Sequence, residues 1–235
     1  MYPHRIRLRG PWECEPHEAT SGLVPPKSRV TMPCHWHESG LADFAGRVLY
    51  RRRFGYPGRI DDTERVWLTF AGASATVSVT LNDVELGRVA QPSSPFEFEV
   101  TPLLRPRNEL IVDLRGAVPT DGLWGEVALE VRRTAFLRNV FFEPSYSVDT
   151  VCLHVTGEIV GVAEGLLELY VLLDRSTIAY KTVTASATGN PFEIVSDSVP
   201  LAQWRAVRLA PVKLDLVQGA TVWYSVERMV STDNG

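Results

Sequence analysis

Val66-Trp67-Leu68-Thr69-Phe70-Ala71-Gly72 and, a few residues on, Val77-Ser78-Val79-Thr80-Leu81-Asn82-Asp83 decide the fold. Val66, Leu68 and Phe70 fall on one side of an extended chain and Trp67 and Thr69 on the other. Val77, Val79 and Leu81 alternate in the same way with Ser78 and Thr80. A period of two is that of a strand with one buried face. Asn82-Asp83 at the end of the second run has the chemistry of a tight hairpin turn.

Working outward, the alternation recurs in Phe96-Glu97-Phe98-Glu99-Val100, in Val127-Ala128-Leu129-Glu130-Val131, and from Leu167 to Leu173. Turn residues separate these runs at Tyr56-Pro57-Gly58, Pro92-Ser93-Ser94-Pro95, Gly116 to Gly122, Asn190-Pro191 and Gln218-Gly219. Only Thr101-Pro102-Leu103-Leu104 reads as a short helical turn. Many short strands with regular turns predict an all-β protein of sandwiches or barrels. Two cores of ordinary size fit 235 residues. The expected boundary lies near Arg133, giving domains 1–133 and 134–235, the second of the size of an immunoglobulin-like sandwich.

Composition narrows the function classes. A net charge of −4 and scattered arginines provide no basic field for a phosphate backbone, so nucleic acid is not an expected partner. No apolar run is long enough to span a bilayer, and no membrane partner is expected. Met1-Tyr2-Pro3-His4-Arg5 opens a segment without the apolar core of a secretory signal, which predicts a cytoplasmic protein. Cys14, Cys34 and Cys152 are too few and too far apart for a disulfide framework and read as free thiols. No Ser-His-Asp, Cys-His or phosphate-loop arrangement has a credible context, and no cofactor is expected.

A series of segments, in order, resembles the sugar-binding jelly roll at the front of family 2 glycoside hydrolases, the family of β-galactosidases, β-glucuronidases and β-mannosidases. The series comprises Leu8-Arg9-Gly10-Pro11-Trp12, Met32-Pro33-Cys34-His35-Trp36, Gly46 to Phe54, Phe70-Ala71-Gly72 with Val79-Thr80-Leu81-Asn82, Pro95 to Leu104, and Gly122-Leu123-Trp124-Gly125-Glu126-Val127. Val140-Phe141-Phe142-Glu143-Pro144 and the region from Trp204 to Leu214 are similar to the immunoglobulin-like domain that follows in those enzymes. The resemblance therefore implies a galactose-binding-like jelly roll followed by an immunoglobulin-like sandwich.

It also implies what to expect of chemistry. Retaining glycosidases need two carboxylates about 5 Å apart, and in this family both belong to a barrel of about 250 residues for which the chain has no room. Hydrolysis by this chain alone is not expected. Asn108-Glu109 matches the family's acid/base dipeptide, but it lies between a turn and a strand where the jelly roll itself carries an asparagine.

The carbohydrate-binding residues implied are Trp36, His37, Asp121 and Trp124. Exposed aromatic faces stack on sugar rings and carboxylates accept from sugar hydroxyls; the competing reading of Trp36 and Trp124 is core packing. Two departures weaken the transfer. Gly125 stands where the family has an arginine able to clamp a carboxylate, and the connection from Gly116 to Gly122 is short. His35 and His37 fall two apart, a spacing that suits metal ligands on a strand, with no third ligand in view. Arg51 and Arg53 fall on one face of a strand and Arg52 on the other, as a solvated or ion-paired run. Trp12, Trp67, Trp204 and Trp223 read as packing residues.

Three functions follow as expectations. One is a non-catalytic module whose partner is an oligosaccharide or glycan. Another is part of a split glycosidase whose barrel is separately encoded. The third is a structural or protein-binding module that has lost sugar recognition.

Overall fold

The computed structural model describes residues 3–20, 22–74, 76–90, 94–205 and 209–231. The chain is all-β and divides into two compact units, one of Arg5–Val131 and one from Arg132 onward that also takes in His4. Met1, Tyr2 and the first half of the expected turn Pro92-Ser93-Ser94-Pro95, Pro92 and Ser93, lie outside the described residues.

The first series of strands is β1 His4–Arg7, β2 Trp12–Ala19, β3 Ser28–Val30, β4 Cys34–His35, β5 Gly46–Gly55 and β6 Glu64–Phe70. It continues with β7 Thr76–Leu81, β8 Val84–Ala90, β9 Phe96–Glu99, β10 Arg107–Gly116, β11 Gly122–Leu123 and β12 Val127–Arg133. They form a four-stranded sheet in the order β1-β12-β6-β9, a six-stranded sheet in the order β3-β2-β5-β10-β7-β8, and the short pair β11-β4. β5 and β10 run antiparallel in unbroken register from Gly46↔Gly116 to Gly55↔Arg107.

Register decides which residues are inside. Val48 and Tyr50 of β5, Val112 and Leu114 of β10, and Val77 and Val79 of β7 are all fully buried, as are Val66, Leu68 and Phe70 of β6 in the other sheet. Each such side chain contributes roughly 1.5–3 kcal/mol when taken out of water. The opposite face of the six-stranded sheet is charged. Arg47 grips Asp113 through Nε and Nη2 at 2.9 and 2.7 Å, and Arg53 bridges Glu109 at 2.9 Å and Glu13 at 3.4 Å. Arg51 lies on that same face, 3.7 Å from Glu109, whereas Arg52 points the other way and donates to the carbonyl of Pro11 at 3.0 Å. Arg51 and Arg53 thus belong to an ion-paired strand face.

Asn82 and Asp83 both adopt positive φ, 51° and 70°, and turn β7 into β8 with Leu81 opposite Val84. Asn82 also reaches beyond its own hairpin. Its Nδ2 donates to Oδ1 of the buried Asn108 at 2.9 Å and to the carbonyl of Leu103 at 2.8 Å, while its Oδ1 accepts from the Glu109 amide at 2.9 Å. Asn108 in turn accepts from the Arg105 amide and donates to the Arg105 carbonyl.

The second unit holds β13 Ala135–Tyr146, β14 Thr150–Gly161, β15 Leu167–Leu173, β16 Ser176–Val183, β17 Asn190–Val195, β18 Val199–Pro200, β19 Leu209–Gln218 and β20 Thr221–Ser231. One sheet has the order β13-β14-β17, with β18 also on β14, and the other β16-β15-β19-β20. Val151, Leu153 and Val155 from the first sheet and Leu169, Val171, Leu214 and Leu216 from the second are buried in the core.

Two local expectations need correction. Asn190-Pro191 is the start of β17 and not a turn: Asn190 pairs with Ile159, and its Nδ2 donates to the Thr184 carbonyl at 2.8 Å. Thr101–Leu103 is a 3-10 turn as expected, but two further helical turns occur, a 3-10 turn at Trp36–Glu38 and α1 at Leu201–Arg205. Segments of three and five residues are too short to show a helical stripe.

Candidate functional site

Two distant stretches are stitched together at one edge of the first unit. β4 pairs with β11, setting His35 opposite Gly122 and Cys34 opposite Leu123. Beyond that pair, the Trp36 amide donates to the Asp121 carbonyl at 2.7 Å and the His37 amide to the Pro119 carbonyl at 2.9 Å. The imidazoles add two more ties, His35 Nδ1–H donating to the Thr120 carbonyl at 2.8 Å and His37 Nδ1–H to the Pro119 carbonyl at 3.0 Å. The short Gly116 to Gly122 connection is therefore laced along the 35–37 segment. The two rings stack with centroids 5.3 Å apart, and no group of three metal-ligating side chains occurs among the described residues.

Trp36 lies inside. It is 0% exposed, its Nε1 donates to the Tyr50 hydroxyl at 3.0 Å, and its ring centroid is 5.6 Å from that of Phe44. Its indole cannot stack on a sugar in this arrangement, which corrects its place among the sugar-binding residues. Burial pushes the Tyr50 phenol far above its ordinary range, so the hydroxyl stays neutral as acceptor for Trp36.

Asp121 is inside as well, at 7% exposure. Its Oδ2 accepts from the Ala117 amide at 2.7 Å and the Val118 amide at 2.9 Å, closing the loop that precedes it. Its carboxyl group and the Trp36 ring both pack over Gly116. Both backbone donors already claim this carboxylate, so its role is to shape the loop; that also corrects its expected place at a sugar.

Trp124 differs from both: it is 40% exposed, and one face of its indole lies on Gly72, where a Cβ would overlap the ring. The other departure has a steric origin. A Cβ on Gly125 would collide with the backbone of Ala71 and Gly72, to whose carbonyl the Gly125 amide donates at 2.9 Å. No arginine fits there. Among the four expected residues, the structure leaves Trp124 and His37 open to solvent and folds Trp36 and Asp121 into the scaffold.

Glu109 is held by Arg53 and Arg51, and Asn108 is 2% exposed within the network of Asn82 and Arg105, so the dipeptide is part of the sheet's own bonding. Sequence reasoning gave no hint of a groove of about 910 Å³ in the first unit, lined by Arg7, Arg9, Arg29 and the segment through Ser39. Its arginines are spread over more than twenty positions, leaving no local run to notice.

No protein-family model matches the sequence, and none of the curated proteins does. Solved structures do match in fold. A putative β-galactosidase from Bacteroides fragilis superposes with a TM-score of 0.78 at 16% identity, covering 98% of this chain and 41% of that one. A Bacteroides uniformis β-glucuronidase gives 0.79 at 16%, covering 97% and 32%. A family 2 glycosyl hydrolase from Bacteroides cellulosilyticus gives 0.72 at 15%, covering 97% and 35%. The chain thus has the fold of a β-sandwich region of such proteins and spans about a third to two fifths of their length. Its described residues contain no catalytic barrel.

Proposed function

We propose that this chain is a non-catalytic, carbohydrate-associated module of the kind that accompanies a family 2 type glycosidase barrel. The observation that carries the reading is the superposition on glycosidases over 97–98% of this chain. Trp124 supports the carbohydrate half of it. Its indole is braced from behind by a glycine and open in front, the arrangement an aromatic platform needs.

The test is glycan binding followed by fluorescence. Trp12, Trp36, Trp204 and Trp223 are buried and Trp67 is half-buried, so a sugar on the exposed Trp124 should produce a blue shift that Trp124→Ala removes together with retention on the glycan. No response to any of a panel of oligosaccharides at millimolar concentration would end the carbohydrate reading and leave a structural or protein-binding module.

The partial coverage of the matched chains favours a second reading, in which the module completes an enzyme whose barrel is supplied by another chain. Phe141 is 61% exposed on β13, although Thr156 and His154 of β14 separate it from Val195, the next exposed apolar residue on that face. Mixing with a barrel-bearing chain should then give glycosidase activity absent from either alone. Turnover of a chromogenic glycoside by this chain unaided would refute both readings.

A further inference from the structure

The groove in the first unit has a charge arrangement that packing does not explain. Its wall from Arg7 to Arg9 is fixed by two backbone bonds, Leu8 N–H to the Val127 carbonyl at 2.9 Å and Met32 N–H to the Arg9 carbonyl at 2.6 Å. β3 and the segment after it, tied to Arg9 by the second of these bonds, belong to the same lining. Three arginines and two glutamates line the space.

Both glutamates are already occupied. Glu126 takes Arg5 at 2.8 Å and Arg7 at 2.6 Å, and Glu38 accepts from the His35 amide at 2.8 Å. The guanidinium groups of Arg9 and Arg29 have no ion-pair or hydrogen-bond partner among the described residues. The cross-strand neighbour of Arg29 is Glu13, and that carboxylate is in contact with Arg53 at 3.4 Å. Two arginines without a carboxylate partner therefore belong to the lining of one groove, whereas Arg47, Arg51 and Arg53 of β5 are each paired with a carboxylate. Ser28, Thr31 and Ser39 belong to the same lining. Ser39 Oγ–H is spent on the backbone carbonyls of His35 and Trp36, which leaves its oxygen free to accept.

We infer that this groove binds an acidic oligosaccharide, with oxyanions on the sugar ring paired to Arg9 and Arg29. This rests on the carbohydrate reading above and adds a second contact region to it. Guanidinium forks match the geometry of carboxylate and sulfate, and hydroxyls able to accept suit sugar O–H groups. The volume of about 910 Å³ falls at the upper end of small-molecule sites, ~300–1,000 Å³. Carboxylated and sulfated sugars share this chemistry and are separated by the test.

Calorimetry on the full chain at low and moderate salt would compare an oligogalacturonate, a heparin-derived tetrasaccharide, maltotetraose and a short single-stranded oligonucleotide. At least one acidic sugar should bind on the order of tenfold more tightly than maltotetraose, and more weakly as salt rises. Arg9→Ala and Arg29→Ala should each weaken it on the order of tenfold, and Arg9→Lys should fail to restore it in full. Arg59→Ala, the same charge change at an exposed loop site, should leave it unchanged. Equal binding of maltotetraose overturns the acidic-sugar assignment while the carbohydrate reading stands. Oligonucleotide binding as tight as the sugars overturns it in favour of a general anion site. Failure of every sugar ends both.

Discussion

Replacing Asp121 by alanine distinguishes scaffold from ligand contact at the edge where the sequence suggested sugar binding. The side chain is almost fully buried and its Oδ2 accepts two amides, from Ala117 at 2.7 Å and Val118 at 2.9 Å. Hydrogen bonds to a charged acceptor contribute roughly 1.5–3 kcal/mol each. Ala117 and Val118 are themselves exposed, so water recovers part of the loss and the lower end applies. Asp121→Ala should then destabilise the first unit by about 3 kcal/mol, lowering its melting temperature by roughly 10 °C. Asp121→Asn keeps one oxygen positioned for both amides without the charge, and should cost about half as much. Urea unfolding followed by tryptophan fluorescence reads this directly, because Trp12 and Trp36 lie in the same unit. An unchanged midpoint for Asp121→Ala, with glycan retention lost, would refute the scaffold role and return the carboxylate to the ligand.

Four other outcomes follow from the geometry. Asn108→Ala strips partners from the Arg105 amide, the Arg105 carbonyl and Asn82 Nδ2, so chemical denaturation should show a loss of about 3 kcal/mol, with Asn108→Asp no milder because it faces the Arg105 carbonyl. Gly125→Arg should yield unstable or insoluble protein and no gain in acidic-sugar binding, since its Cβ meets the Ala71–Gly72 backbone; a folded variant with tighter binding by calorimetry would contradict this. Burial pushes the Cys14 thiol up to about 11 and raises Cys34 as well, so a thiol reagent at pH 8 should modify Cys152 in the native protein and reach Cys14 only on unfolding. With the native Cys14 pKa above its unfolded value near 9, the folded state holds the proton longer, and stability present below pH 9 is lost as pH rises through about 11. Unfolding midpoints measured from pH 8 to 11 should fall, and Cys14→Ala should flatten the slope.

Much of the fold was legible because its signals are local. Alternation at Val66–Phe70 and Val77–Leu81 marks a strand whatever it packs against, and Asn82-Asp83 tolerates positive φ by its own chemistry. The one turn misplaced, Asn190-Pro191, carries the same residue types as a true turn, and only pairing with β14 shows that it begins a strand. The site was less legible. Trp36 and Trp124 are the same residue in similar surroundings of sequence, each followed within two positions by an acid.

What the sequence by itself determined is the set of strands, the hairpin turns and the two-sandwich series, since each depends on residues next to one another in the chain. Tertiary structure decided the roles. Tyr50 and Gly116 come from elsewhere in the chain to enclose Trp36, while Gly72 props Trp124 at the surface. Asp121 turns inward because the amides of its own loop curl over it. Arg9 and Arg29 come to line one groove only because the 7–9 segment is tied to the stretch that follows β3, and a lining of that kind arises from contacts between distant residues, which no local pattern encodes.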